Sequence, residues 1–227
     1  PSNVRAPRRA YSRSLDRAGT AEKLVATKAT FDDYGNPISF TSLGETLPTS
    51  APLCSGLVED YLADEVTMQT TWASNLPAWV FKPSSVKACA DEACTVVLRQ
   101  QEHYFDDSPT LGVVTIGNMT RRRSWISFEA EPIAWAELDL TYDTYGNVTS
   151  TTDEEEAVTS IGWVDTNPAS PDSYAFPHSS SITVALGKAQ PVTLTASRTW
   201  DERFGSPSTD VATTGRRLIW QFDGLGR

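Results

Sequence analysis

The sequence predicts an all-β fold made of antiparallel hairpin repeats. Three observations carry that prediction: a β-favouring composition, stretches in which apolar and polar residues alternate, and a short motif that recurs along the chain. The 227 residues include 27 Thr and 23 Ser beside 7 Trp, 7 Tyr and 8 Phe. β-Branched and aromatic side chains fit the half-buried surface of a pleated sheet. With 39% hydrophobic and 21% charged residues, the chain can bury a core, which excludes disordered, collagen-like and coiled-coil classes. No run approaches the ~18 apolar residues of a membrane-spanning helix.

The motif is an aromatic residue, Asp, two variable residues, Gly, and then Asn or a substitute. It reads Phe31-Asp32-Asp33-Tyr34-Gly35-Asn36 and Tyr142-Asp143-Thr144-Tyr145-Gly146-Asn147. It returns as Phe222-Asp223-Gly224-Leu225-Gly226-Arg227, and with one extra residue as Trp200-Asp201-Glu202-Arg203-Phe204-Gly205-Ser206. A weaker copy, Leu15-Asp16-Arg17-Ala18-Gly19-Thr20, has Leu in place of the ring. Strands lead into the copies. Ala136, Leu138, Leu140 and Tyr142 alternate with Glu137, Asp139 and Thr141, and Val192, Leu194 and Ala196 alternate with Thr193, Thr195 and Ser197. Period two with one apolar face is the signature of a strand, and Leu218, Trp220 and Phe222 repeat it. Each strand then meets Asp, whose carboxylate accepts backbone N–H bonds in an Asx-type turn, and a Gly three residues on supplies positive φ. The expectation is a strand end plus a tight turn, with each aromatic packed against its neighbour in the next strand pair.

Read in order, the chain divides into a basic lead-in segment over 1–28 with one degenerate repeat, a first repeat block over 29–141 and a second over 142–227. The lead-in holds seven basic residues and two acids, a balance of +5; the remaining 12 basic and 27 acidic residues give −15, for a net charge of −10. So acidic a body repels phosphate backbones, which argues against nucleic acid as a partner. No apolar stretch follows the arginines, so the lead-in is not a signal peptide. Within the blocks a larger duplication is visible. Trp79-Val80-Phe81-Lys82-Pro83-Ser84-Ser85, a strand from Thr95, and Tyr104-Phe105-Asp106 match Tyr174-Ala175-Phe176-Pro177-His178-Ser179-Ser180, the Val192 strand, and Trp200-Asp201. Each block carries a polar insertion; residues 60–71 are expected to form a short helix and Asp153 to Glu156 a solvated loop.

The same acids point away from catalysis. Equivalent positions at successive strand ends are turn formers, whereas acid–base chemistry needs different groups converging on one point. Three cysteines are too few for a disulfide framework. Cys89 and Cys94 flank Ala90 to Ala93, an expected hairpin tip that a local disulfide would close. A zinc site lacks a second pair of ligands beside His103 and His178, no glycine belongs to a phosphate loop, and no cofactor is expected. Two N-x-S/T sequons begin at Asn118 and Asn147.

On Tyr142-Asp143 with Gly146-Asn147, on Phe222 to Arg227, and on a divergent member running from Tyr104-Phe105-Asp106 to Gly117-Asn118, the sequence resembles the RHS (YD-repeat) family. The resemblance extends from about Tyr11 to Arg227. It is most like the repeat-bearing shell component of bacterial insecticidal toxin complexes, and similar to polymorphic RHS toxins and wall-associated proteins. The departures are Leu15 for the ring, Thr20 and Ser206 for Asn, and long insertions. The resemblance implies a curved strip of hairpins in a hollow β-shell, secreted or at a cell surface, that encloses a toxic C-terminal segment and meets other toxin-complex subunits. The family's self-cleaving aspartates lie in a core beyond the repeats, with no match here, so no catalytic residue is carried over. With a Pro1 start and a motif stopping at Arg227, the sequence is expected to be an excerpt of a longer protein. The competing expectations are a glycan-binding or adhesion module presenting Trp72, Trp79, Trp125 and Trp163, and, more weakly, a hydrolase using scattered acids with His103 or His178.

Overall fold

A computed structural model describes residues 9–15, 22–46, 65–126, 134–164, 176–184, 192–201 and 203–227. The weak motif copy at Asp16 and Gly19, residues 60–64 and Cys54 lie outside them. The chain forms two compact units, Pro1–Trp135 and Ala136–Arg227. The first holds strands β1 (Arg9–Leu15), β2 (Glu22–Phe31), β3 (Pro37–Thr46), β4 (Val66–Asn75), β5 (Val80–Cys89), β6 (Val97–Phe105) and β7 (Met119–Trp125). β8 (Trp135–Tyr142) opens the second, followed by β9 (Val148–Asp153), β10 (Val158–Val164), β11 (Phe176–Val184), β12 (Val192–Asp201), β13 (Ser206–Val211) and β14 (Arg217–Ile219).

Within each unit every strand pairs antiparallel with the strand before it in sequence, from β1 to β7 and from β8 to β14. The result is a meander: all pairing is between chain neighbours, so closing each hairpin requires only a short loop. Among the described residues the helical structure is one 3-10 turn, Leu76–Ala78, between β4 and β5. The helix expected over 60–71 is not what forms in its described part. Val66, Thr67, Thr70, Thr71 and Trp72 are instead in β4, bonded on one side to β3 and on the other to β5. The β-branched residues Val66, Thr67, Thr70 and Thr71 favour the sheet there, where β4 is paired on both sides.

The two faces of the first sheet differ. Thr41, Thr67 and Cys89 form a cross-strand row on β3, β4 and β5, all buried, with the Thr41 and Thr67 hydroxyls 3.0 Å apart. The adjacent row, Phe40 opposite Met68, lies on the other face and is exposed. A small apolar core sits at one edge. Ala73 of β4 and Phe105 of β6 are covered by Val114, with Val80 and Met119 beside them. Val114 comes from the long β6–β7 loop, which is held down by Asn75 Nδ2 donating to the Thr115 carbonyl at 3.1 Å.

Pairing also exposes an internal duplication. Trp72 stands opposite Pro83 at a bulge between β4 and β5, and Trp163 stands opposite Pro177 at a bulge between β10 and β11. The Trp72 indole N–H donates to the Pro37 carbonyl at 2.9 Å; the Trp163 indole donates to the Val148 carbonyl at 2.7 Å. Pro37 and Val148 both directly follow the Gly-Asn of a motif copy. β2–β7 therefore correspond in order to β8–β13. The long connections do not correspond: one separates β3 from β4, the other β10 from β11. Trp72→Phe keeps the ring and removes the donor, so it is expected to lower stability by about 1 kcal/mol, the usual net value of one hydrogen bond. Trp163→Phe is expected to cost the same, and the urea midpoints of the two single variants and the double variant should show additive losses.

Candidate functional site

Among the described residues the motif copies are a repeated constellation of polar groups, and their geometry is shared. In the β2–β3 turn the Asp32 N–H donates to the Asn36 carbonyl at 2.9 Å and the Gly35 N–H to the Asp32 carbonyl at 3.2 Å. The Asp32 Oδ1 accepts from the N–H groups of Tyr34 and Asn36, and Oδ2 from the Asn36 side chain. The β8–β9 turn repeats this bond for bond with Asp143, Tyr145, Gly146 and Asn147. Gly35 and Gly146 have φ of 89° and 85°, a left-handed conformation that closes a type I turn with a bulge. That bulge shifts the register at Thr30/Phe31 and at Thr141/Tyr142, leaving the aromatic opposite the residue that follows Asn: Phe31 opposite Pro37, Tyr142 opposite Val148.

The remaining copies are variations on this design. Asp223 accepts from the N–H groups of Leu225 and Arg227, and Arg227 replaces the Asn side chain by donating Nε to Oδ2 at 3.2 Å. In the longer Trp200 turn, Phe204 and Gly205 donate to the Asp201 carbonyl, and Arg203 reaches the carboxylate through its backbone and its guanidinium. The divergent copy after Phe105 is the most elaborate. Asp106 accepts from the N–H groups of Thr115, Ile116, Gly117 and Asn118, so one carboxylate organises the end of a long inserted loop.

Three further turns lack the aromatic and escape the motif pattern. The acidic run expected as a loop is a tight turn: Asp153 accepts from Glu155 and Ala157, with Glu156 at φ 62° in the glycine position. Ala212 to Arg216 makes the same backbone bonds with Ala in place of Asp. Asp91 accepts from Thr95 and Val96 at the β5–β6 tip, which the Cys89–Cys94 disulfide closes. The sequence signals for these were Gly215 in Ala212 to Arg216 and the Cys89/Cys94 pair flanking the β5–β6 tip.

Antiparallel order sorts the turns by edge. In the first unit the Asp32, Leu76–Ala78 and Asp106 turns share one edge and the Asp91 turn lies at the other. In the second, the Asp143, Asp201 and Asp223 turns share an edge, opposite Asp153 and Ala212. Aromatic copies thus occupy one edge of each unit. Turns on one edge are two strands apart, about 9.5 Å, a gap that rings can bridge. Tyr34 lies 5.2 Å from Phe81 and 6.2 Å from Trp79 between centroids, and Phe204 lies 6.0 Å from Phe222. Tyr34 and Phe204 belong to the turns themselves, so rings inside the turns join the strand-end rings in making the contacts.

The electrostatics follow from the bonds. In Asp143 the Asn147 side chain, then the backbone N–H groups, hold the carboxyl below its ordinary value of 3.8. The Arg227 and Leu225 N–H groups do so for Asp223, and those of Thr95 and Val96 for Asp91. In Asp32 and Asp106 partial burial pushes upward, but the donors of the turn outweigh it. The Arg203 side chain lowers Asp201. Each carboxylate serves its own turn and is held ionised, the reverse of the raised pKa that a general acid needs. His103 is occupied too, with Nδ1 2.9 Å from the Pro83 carbonyl.

Two predictions follow from this geometry. Folded pKa values below 3.8 add stability that is complete above about pH 4 and is lost as pH falls through the depressed values. Asp143→Asn should therefore lower Tm at pH 7 and flatten the Tm profile below pH 4, as read by circular dichroism. Gly117→Ala should lose about 1–2 kcal/mol from its φ of +99°, with crowding adding little, because the atom nearest the new Cβ, Lys82 Cε at 2.6 Å, is the end of a flexible side chain that can move aside. Gly224→Ala, with open space and no positive φ, should be neutral or slightly stabilising in the same urea titration.

No protein-family model and no curated protein sequence matches the chain. Solved structures do. A Tc holotoxin pore of Photorhabdus luminescens aligns with a TM-score of 0.58 at 12% identity, over 96% of this chain and 13% of that one. The TcdB2–TccC3–Cdc42 and TcdB2–TccC3–TEV crystal structures align with a TM-score of 0.59 at 13% and 14% identity, over 96% of this chain and 14% of each of theirs. The chain spans about one seventh of the length of the chains it matches. The fold that these likenesses and the hairpin meander show is an antiparallel β-hairpin repeat architecture like that in the matched part of the Tc toxin chains.

Proposed function

We propose that this chain is a non-catalytic wall segment of a toxin-complex shell, and that the complete shell encloses a C-terminal toxin segment outside the cell. The observation that carries the proposal is the coincidence of topology and likeness: an uninterrupted meander in each unit that aligns over 96% of its length with Tc toxin chains. The chemistry of the repeated acids supports the non-catalytic part, because each is consumed by its own turn. A meander is suited to enclosure, since each hairpin adds wall area by pairing only with its neighbours.

A second reading has one observation in its favour. Trp79 is 72% exposed, in a left-handed conformation at φ 54°, and clusters with Tyr34 and Phe81, a surface on which a sugar ring can stack. Trp72 and Trp163 have their indole N–H groups bonded within the sheet, which weakens that reading for them.

The test uses the complete shell protein with its C-terminal segment. The shell reading expects that segment to resist protease in the intact protein. Gly146→Val should lower the yield of folded shell, while the separately expressed C-terminal segment keeps its toxicity. A C-terminal segment digested at the rate of the free segment while the shell stays folded would overturn the reading. Specific glycan binding abolished by Trp79→Ala would favour the second one.

A further inference from the structure

We propose that the Cys89–Cys94 disulfide is a redox clasp standing in for glycine at the β5–β6 turn, so that this hairpin tip is closed when oxidised and opens when reduced. Three observations converge on it.

The first is positional. The Cys94 N–H donates to the Asp91 carbonyl at 3.2 Å, the bond that Gly35 makes to Asp32 and Gly146 to Asp143. Cys94 has φ of 58°, so a residue with a Cβ occupies the left-handed position that the other turns reserve for glycine. Glu156 does the same in the β9–β10 turn without a bridge, but the loops differ in length. Cys89 pairs with Val97 across seven residues, whereas Thr152 pairs with Val158 in the β9–β10 turn across five. The longer loop carries both the larger closure cost and the unfavourable φ, and it alone of the two is covalently closed.

The second observation is asymmetry. Cys89 is fully buried in the Thr41–Thr67 row, while Cys94 at the tip is partly accessible. An external thiolate therefore attacks the Cys94 Sγ; the S–S bond breaks and Cys89 leaves as a thiolate that takes up a proton. With a dithiol reductant, its second thiolate attacks the reductant sulfur of the mixed disulfide. Cys94 is released and protonated, the protein has gained two electrons and two protons, and the reductant has become a cyclic disulfide. A small-molecule disulfide reverses the sequence as oxidant.

The third is what the tip holds. Glu92 is ion-paired with Lys28 of β2, 64 residues earlier in the chain, so the closed tip anchors a side chain against a strand that is not its pairing partner. Reduction frees this anchor together with the turn. Such a bridge persists in oxidising surroundings and is lost in a reducing cytosol, so the tip reports the compartment the protein occupies.

The experiment is hydrogen exchange on the full chain in a Cys54→Ser background, with and without dithiothreitol, and with thiol labelling to verify reduction at Cys89 and Cys94. Reduction is expected to accelerate exchange at the Ala90 and Val96 amides, which bond the Val96 carbonyl and Asp91, at least tenfold. The Tyr145 and Asn147 amides of the Asp143 turn should be unchanged. Cys89→Ala/Cys94→Gly should keep both amides protected and ignore dithiothreitol, whereas Cys89→Ala/Cys94→Ala should exchange like the reduced protein. Unchanged exchange at Ala90 and Val96 in fully labelled protein would overturn the proposal. So would a glycine variant that exchanges as fast as the alanine variant.

Discussion

The architecture depends on one interaction, an aspartate carboxylate accepting the N–H groups of the turn that it begins. A tight turn leaves backbone donors that no strand can pair, and leaving them unmet is costly wherever water is restricted. Asp32 and Asp143 meet this need identically, each with two backbone donors and one Asn side-chain donor. Charge-assisted bonds are stronger than neutral ones, and the depressed pKa values express the same stabilisation from the side of the carboxyl. Asp106 extends the device to a much longer loop by collecting four N–H groups near its end. In Ala212 to Arg216 the backbone bonds of the turn form without any carboxylate.

Turn geometry propagates into the sheet. The bulges beside the Phe31, Phe105, Tyr142 and Trp200 copies set the register of the outgoing strands, and a slip of one residue would exchange the two faces. The consequence is visible in the first unit, where Thr41, Thr67 and Cys89 are buried and the next row, Phe40 and Met68, is exposed. Register also explains the paired tryptophans. Trp72 and Trp163 reach the carbonyl that directly follows Gly-Asn because both strand sets start from the same turn. At the edges, rings from turn and strand end bridge a spacing that shorter side chains cannot, as with Tyr34 against Phe81 and Phe204 against Phe222.

Legibility in the sequence follows the range of the interaction. The turn aspartates and glycines are recognisable because the needed residues are three or four positions apart and their roles are local. Fold class is legible for the same reason, since a meander pairs only consecutive strands. Residues 66–71 read as helix in the sequence because polar Thr and Gln interrupt their apolar pattern, and it is pairing with β3 and β5 that makes them a strand. The Asp153 turn carries Glu156 where glycine was the signal. The polar insertions look equivalent in composition, yet they follow different strands.

By itself the sequence determined the all-β class, the motif-bearing corners and their chemistry, because turn propensity and period-two alternation act over a few residues. Only the tertiary structure decided which turns share an edge, which rings meet across two strands, and which face of the first sheet is buried. It also decided that Cys94 stands where glycine would, and that Glu92 meets Lys28. These outcomes depend on the cumulative register of several strands and on loops folding back over them, and no window of neighbouring residues encodes them.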